Sequence, residues 1–270
     1  MHTNSDLISV VMPVFNPNPN FLHGAVSSIL DQTYEYLELV IVDDSSDPAI
    51  WNLLDSMSNK DKRIVYIRPK LRIGYVKSLN LALSKSRGKF IARMDADDIA
   101  EPNRLESLSR FLKENQSVEI VGSAIRKIGA EGEDLGVRHY PTHPQDVERQ
   151  MGFWNAIAHP TVMFYKNLID RIGPYNEQVE VEDYEFWLRA ISSGVKIANV
   201  KNPLLRYRVP SGDHKSMRGR HWKNNLELKL KYFNPRHPVF GILGILCVSL
   251  ALLCPHQLET YCYRVFNSWR

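Results

Sequence analysis

The first 246 of 270 residues contain no cysteine, and Cys247, Cys254 and Cys262 all fall in the last 24. A disulfide framework for the main body is excluded, and nothing in the pattern suggests a zinc site. Neither sign of charge is in large excess: 34 Lys and Arg against 30 Asp and Glu leave +4. No apolar run reaches the ~20 residues that a spanning helix usually needs; Val239–Cys254, "VFGILGILCVSLALLC", has 16. The opening "MHTNSDLISVVMPVF" lacks the basic and apolar regions of a signal peptide, so a reducing cytoplasmic compartment is expected. Two phosphate-gripping signatures are also missing. "PVFNPNPN", after the first apolar run, has no glycine fingerprint for a dinucleotide, and no G-x-x-x-x-G-K-[ST] loop occurs.

What is present is an ordinary globular composition, 44% hydrophobic and 24% charged, which excludes wholesale disorder. The basic excess is local. Between Lys215 and Arg236 seven Lys and Arg face one acid, Glu227. Followed by the apolar run at 239–254, this segment reads as a helix lying in or dipping into an anionic membrane face. Packing of that helix on the domain is the alternative. A nucleic acid is not among the expected partners.

Over residues 7–95, short β-branched runs (7–15, 37–44, 63–68, 89–95) alternate with helical spacing (21–32, 49–57, 75–86). Such alternation predicts an α/β fold with βαβ units, a mostly parallel central sheet and flanking helices. Further strands are expected at 117–125, 159–165, 195–200 and 203–209, and helices at 102–115, 166–173 and 181–194. Residues 126–145 read as an irregular or hairpin insertion.

In such sheets ligands bind beyond the carboxyl ends of the strands. Two acidic groups arrive there, Asp43-Asp44 and the Asp95, Asp97, Asp98 of "ARMDADD". An EF-hand loop does not account for the second group, because Ile99 and Ala100 occupy the fifth and sixth positions. A divalent cation shared with a diphosphate does, since Mg²⁺ or Mn²⁺ is commonly held by one or two carboxylates plus phosphate oxygens.

Taken in order, "ISVVMPVFN", "LELVIVDDSS", "SLNLALSKSRGKFIARMDADD", "HPTVMFYK" and "VEDYEFWLRA" resemble the signature segments of the family-2 inverting glycosyltransferases over about residues 7–208. Within that family the sequence is similar to bacterial enzymes of O-antigen, lipopolysaccharide-core and capsule synthesis. The resemblance implies a GT-A fold at 1–210, with a nucleotide-sugar half (1–100) and an acceptor half (101–210), followed by a membrane-associating segment (211–270). It implies that Pro13 and Asp44 contact the nucleobase, that Asp95 lies near ribose and metal, and that Asp97 is the main ligand of Mn²⁺ or Mg²⁺. Asp183 matches the general base, with Glu182, Trp187 and His159 on the acceptor side. The implied activity is hexosyl or N-acetylhexosaminyl transfer, with inversion, from a UDP-sugar to a lipid-linked saccharide at the cytoplasmic membrane face.

Several residues have plainer readings. Asp43 and Asp98 are expected to order turns, and Trp187 and His159 fit a packed core as well as a sugar site. Arg206, Arg208 and His214 are candidates for diphosphate or metal contacts, solvated strand ends being the alternative for the arginines. Arg72-Ile-Gly74 departs from the family's usual N-x-G. The rival functions are a non-catalytic sugar-nucleotide-binding protein and a nucleotidyltransferase. The first would be expected to lose Asp97 or Asp183. The second would carry a basic glycine-rich loop that "FNPNPNFLHG" lacks.

Overall fold

The computed structural model describes residues 6–209 and 220–253. Its apolar runs become β1 (Ile8–Val14) and β2 (Leu37–Asp43), every residue of which is buried. With β3 (Ile64–Ile67) and β4 (Phe90–Arg93) they form a parallel set in the order β3-β2-β1-β4. The crossovers are α1 (Pro19–Leu30), α2 (Pro48–Lys60) and α3 (Tyr75–Lys85). Asn18 and Asp47 cap α1 and α2 by accepting the N–H of Asn20 and Ala49, each with proline in the first turn, where a missing N–H is harmless. Pro13 is tolerated inside a central strand because β4 pairs with β1 only as far as Val11.

The second half departs from the expected parallel pattern. It contributes β5 (Ile99–Ala100), α4 (Arg104–Glu114), β6 (Ile120–Ile128), β7 (Asp134–Arg138), α5 (Pro144–Met151), β8 (Met163–Tyr165), α6 (Leu168–Ile172), α7 (Glu182–Ser192) and β9 (Ile197–Arg208). β8 runs antiparallel to β4 and β6, and β5 antiparallel to β9, so the continuous sheet is mixed rather than mostly parallel. The two late strands expected at 195–209 are one strand. β9 pairs with β6 through shifts in register near Ala124, which absorb Lys201 and Asn202. The 126–145 insertion contains the β6–β7 hairpin, and α5 and β5 are too short to show a period. His159–Thr161 forms a 3₁₀ turn ahead of β8.

Alternate residues of the strands feed two cores, one on each face of the sheet. Leu39 and Ile41 join Leu22, Phe90 and Leu108; Val40 and Val42 join Leu79, Phe164 and Trp187. This is the period-two rule acting on a sheet covered on both sides.

The C-terminal run forms α9 (Pro238–Leu253), packed against α8 (Arg220–Lys231). No helix among the described residues is long and apolar enough to cross a membrane. The small side of α9, Gly241, Gly244, Val248 and Ala251, is buried on the domain. Its bulky side, Ile242, Leu243, Leu246, Leu250 and Leu253, is exposed. Of the two sequence expectations for the helix, packing on the domain is what its small side shows. His214, Lys215 and Arg218 lie outside the described residues.

Glu38 on β2 is a buried carboxylate that knits the sheet to the α3–β4 turn. It accepts the Ser9 hydroxyl at 2.6 Å, the Arg87 N–H at 2.7 Å and the Arg87 Nε–H at 2.8 Å. Burial alone would raise its pKa, but these hydrogen bonds outweigh burial and hold it below 4.5. Its ionised form therefore stabilises the fold above that pH, and the contribution is lost as pH falls through the folded value. Glu38→Ala, by orphaning buried donors, is expected to cost about 2–3 kcal/mol in urea unfolding at pH 7 and markedly less at pH 3; an equal cost at both pH values would contradict this.

Candidate active site

The first rim of the site is made where β1 and β2 end. Asn16 follows β1 at φ 45°, a left-handed conformation that asparagine tolerates better than most residues. There its side-chain oxygen accepts the N–H groups of Ser46 and Asp47, locking the two strand ends together. Asp43 orders its turn as expected, accepting the Ser45 N–H at 3.0 Å and the Tyr66 hydroxyl at 2.9 Å. Asp44 is also buried, and its two oxygens accept the N–H groups of Ile73 and Gly74 at 2.8 and 2.7 Å. It therefore fixes the loop that opens α3, where Gly74 sits at φ +87°. A carboxylate has about four acceptor positions, so two remain for a ligand. Arg72, in the departure from N-x-G, lies over the Phe15 ring at 4.2 Å.

The second rim is the acidic turn after β4. Ligand oxygens of Asp95, Asp97 and Asp98 lie within 4.8 Å of one another, the one such cluster among the described residues. Burial and the Asp95 charge push Asp97 above the usual carboxylate range and Asp98 well above it. Asp98 is wholly buried. Its Oδ1 accepts the Arg208 N–H at 2.8 Å, whereas its Oδ2 has no hydrogen-bond partner. It does more than order a turn: it ties β9 to the acidic loop and leaves a carboxylate oxygen bare inside the cluster. Three repelling carboxylates with a bare buried oxygen, all of them hard donors, fit Mg²⁺ or Mn²⁺. Asp95, Asp97 and Asp98 are the residues that would hold it.

Arginines surround this cluster. Arg93, buried at the end of β4, pairs with Asp95 and donates to the Tyr75 hydroxyl. Arg104 is fully buried, its Nη2 on the carbonyls of Arg93 and Pro160; burial lowers its pKa to about 10. Arg208 donates from Nε to the Asp97 carbonyl at 3.0 Å and from Nη1 to those of Gly129 and Ala130, with its guanidinium 3.8 Å over Phe21. Arg208 is thus a clamp on the acidic loop. Arg206 faces away, paired with Glu101 on the pairing of β5 with β9. The Nε and Nη1 groups of Arg208 are committed to backbone carbonyls, and Nε of Arg206 to Glu101.

The third rim is the first turn of α7, where the resemblance led acceptor-side residues to be expected. Asp183 accepts the Tyr184 N–H at 2.7 Å on Oδ1 and the Asn155 amide at 3.1 Å on Oδ2. These two bonds fix the orientation of the carboxylate. Burial first, and then the Asp183 charge, raises Glu182 to about 7. Arg93 and Asp95 both act on Glu182 electrostatically, which brings the acidic turn and the α7 pair into one field. Two expected contacts are not borne out. Trp187 is 0% exposed and packs edge-on against Phe186, so it cannot stack on a sugar. His159 is buried 3.0 Å from the Tyr175 hydroxyl, and burial holds its pKa well below 6.5. A neutral histidine in that position packs between the Tyr175 and Trp187 rings. Pro13 lies buried at the end of β1, beside the Asp43–Asp44 turn.

Arg93, Asn155 and Asn16 were not singled out in the sequence. Arg93 occupies a four-residue strand where an arginine reads as an edge residue. Asn155 meets Asp183 across 28 residues, a pairing no local spacing reveals.

Solved glycosyltransferases share this architecture. The S. aureus TarS 1–349 structure in complex with UDP-GlcNAc superposes with TM-score 0.68 at 19% identity, over 89% of this chain and 72% of that one. The Pyrobaculum calidifontis mannosyltransferase PcManGT, with GDP-Man and Mn²⁺, gives 0.65 at 18%, over 91% and 69%. At these identities the likeness establishes the fold, that of GT-A transferases. Residues 9–173 match the family model for glycosyl transferase family 2, and the chain belongs to that family. Its sequence is 35% identical to the Escherichia coli O-antigen biosynthesis glycosyltransferase WbnJ over 209 residues, 76% of this chain and 80% of that one. It is 25% identical over 272 residues to the E. coli UDP-Gal:alpha-D-GlcNAc-diphosphoundecaprenol beta-1,3-galactosyltransferase, covering 98% of both.

Because Glu182 binds its proton more tightly folded than unfolded, its contribution to stability weakens as pH rises from about 4.5 to about 7. Glu182→Gln removes that penalty. The variant is expected to gain on the order of 3 kcal/mol on the wild type between pH 5 and pH 8 in chemical denaturation; a pH-independent difference would show that the two α7 acids do not share a buried field.

Proposed function

We propose that the chain is a metal-dependent, inverting hexosyl- or N-acetylhexosaminyltransferase that moves a sugar from a nucleoside diphosphate donor, UDP-sugar being favoured, onto a lipid-linked saccharide in bacterial surface polysaccharide synthesis. The observation that carries this reading is the meeting of two acid groups with different tasks. The Asp95–Asp97–Asp98 cluster has a bare buried oxygen, and the α7 pair sets Asp183, oriented by the Asn155 amide, beside a Glu182 raised to about 7. Relatives named as acting on GlcNAc-diphosphoundecaprenol, with UDP-Glc in one case and UDP-Gal in another, support the donor and acceptor classes.

In this mechanism the Asp44 loop and the β1–β2 rim seat the nucleoside. Asp95, Asp97 and Asp98 would hold the cation, which would supply positive charge to the leaving diphosphate. Arg93 keeps Asp95 oriented, and Arg208 keeps the Asp97 backbone in place. Asp183 takes the proton from the acceptor hydroxyl as that oxygen attacks the anomeric carbon opposite the diphosphate, so an α-linked donor gives a β-glycoside. Holding the two substrates in line supplies much of the remaining acceleration.

The reading places the enzyme at the cytoplasmic membrane face. Its support is the exposed bulky side of α9, together with the exposed Leu230 and Phe233 and the exposed Lys223, Lys231 and Arg236 in the segment before it. Exposed apolar side chains accompanied by cations suit an anionic interface. Leu246→Glu with Leu250→Glu is expected to abolish co-sedimentation with phosphatidylglycerol vesicles; unchanged binding would remove α9 as the docking face.

The donor reading is tested by binding across a UDP-, GDP- and dTDP-sugar panel with Mn²⁺, with EDTA and with Asp97→Ala. Donor affinity is expected to fall at least tenfold on chelation and on substitution alike. Tight binding that ignores both would mean that the acid cluster holds no donor-bridging cation.

A further inference from the structure

Lys229 on α8 is a lysine with almost no solvent exposure and no carboxylate partner among the bonds of its ammonium. Its Nζ donates to the Gly152 carbonyl at 3.1 Å, the Phe153 carbonyl at 3.0 Å and the Tyr184 hydroxyl at 2.8 Å. Tyr184 in turn donates to the Met151 carbonyl at 2.6 Å. Three acceptors around one nitrogen match the three donors of an ammonium and not those of a neutral amine.

The segment that Lys229 grips is also pressed by α9. A Cβ on Gly244 would lie 2.3 Å from the Gly152 carbonyl oxygen and 3.1 Å from Phe153 Cα, so the helix backbone rests directly on the segment. Two residues beyond Phe153, Asn155 holds Asp183. Residues 151–155 are therefore gripped by the C-terminal helix pair and carry at their far end a hydrogen bond to the acceptor-side base.

We infer that Lys229 is a positioning residue for the acceptor side. It ties the α8–α9 pair to residues 151–155 and so sets Asn155 and the start of α7, where Asp183 and Tyr184 are adjacent. Seating of the helix pair is then felt at the acceptor base and not at the donor rim. This rests on the reading of Asp183 as general base.

A pH signature accompanies the role. Burial lowers the Lys229 pKa to about 7, opposed by Cys247 on α9. The other titratable groups around the small cavity beside it are Glu148 on α5, Tyr184 on α7, Tyr232 on α8 and His237 ahead of α9. Glu148 is engaged by the Asn234 amide and Arg236, and Tyr232 donates to Glu185. As pH rises through about 7 the amine loses one of its three donors and the grip on residues 151–155 loosens.

The test uses the full chain, wild type, Lys229→Met, Lys229→Arg and Gly244→Leu, the last keeping the lysine while pushing α9 off the Gly152 carbonyl and the Lys229 ammonium that lie against Gly244. UDP-sugar binding with Mn²⁺, transfer to a polyprenyl-diphosphate-linked N-acetylhexosamine, and amide exchange are each read from pH 6 to 9. Expected are donor affinity within twofold of wild type, transfer kcat down at least tenfold in Lys229→Met and Gly244→Leu, and at least tenfold faster exchange at residues 151–157 but not at 40–47. Lys229→Arg, which stays charged, is expected to restore part of the rate and to flatten the alkaline decline. Wild-type kcat and pH profile in both Lys229→Met and Gly244→Leu, or donor affinity lost in step with transfer, would overturn the inference. If the wild type itself transfers nothing to this acceptor, the functional reading fails, whereas exchange at 151–157 that does not respond to either variant defeats the Lys229 link by itself.

Discussion

The site depends on placing more carboxylates at one sheet rim than their mutual repulsion allows unaided. Asp95, Asp97 and Asp98 crowd within hydrogen-bonding distance of a common point, and Glu182 and Asp183 share their field. The protein answers with arginines that stay charged even when buried. Arg93 pairs with Asp95, Arg104 braces the Arg93 carbonyl, and Arg208 clamps the acidic loop from β9. None of these satisfies Asp98 Oδ2. The arginines hold the acids in place but leave part of their charge uncompensated, which is the state a cation and a diphosphate would complete. Removing a partner from such a buried network costs far more than the network contributes in net stability, so the geometry is rigid although it is electrostatically strained.

The mixed sheet explains how acids far apart in sequence come to share this rim. β8 runs antiparallel beside β4, and β9 returns past β6 to reach Ile99 and Ala100. The second half of the chain thereby delivers Arg208 to the acidic loop across 110 residues, and α7 to the opposite side. The C-terminal helices add a further layer. α9 spends its small residues on close packing and presents its large ones outward, the reverse of a soluble helix.

Much of the fold was legible in the sequence because the signals are local and periodic. β1, β2, α3 and α7 fall within a residue or two of their expected bounds, their apolar periods being long enough to read. The acids at strand ends were legible for the same reason. Tertiary pairing was not: "VKIANV" and "PLLRYRV" fuse into β9 only because β6 lies alongside them. Trp187, one turn after Asp183, has the spacing of a sugar-facing residue, yet its ring is buried edge-on against His159 and Phe186. Lys229 read as one more cation in a basic stretch, since nothing in its neighbours announces three carbonyl and hydroxyl acceptors from other elements.

The central claim is a division of labour, with the acidic turn after β4 serving the donor and Asp183 serving the acceptor. The most direct measurement is single-turnover transfer by Asp183→Asn, with donor affinity determined on the same sample. The account predicts donor binding within twofold of wild type and transfer slowed by 10²–10⁴-fold, the usual worth of a general base. Transfer retained above a tenth of the wild-type rate, or donor binding lost along with it, would contradict the assignment.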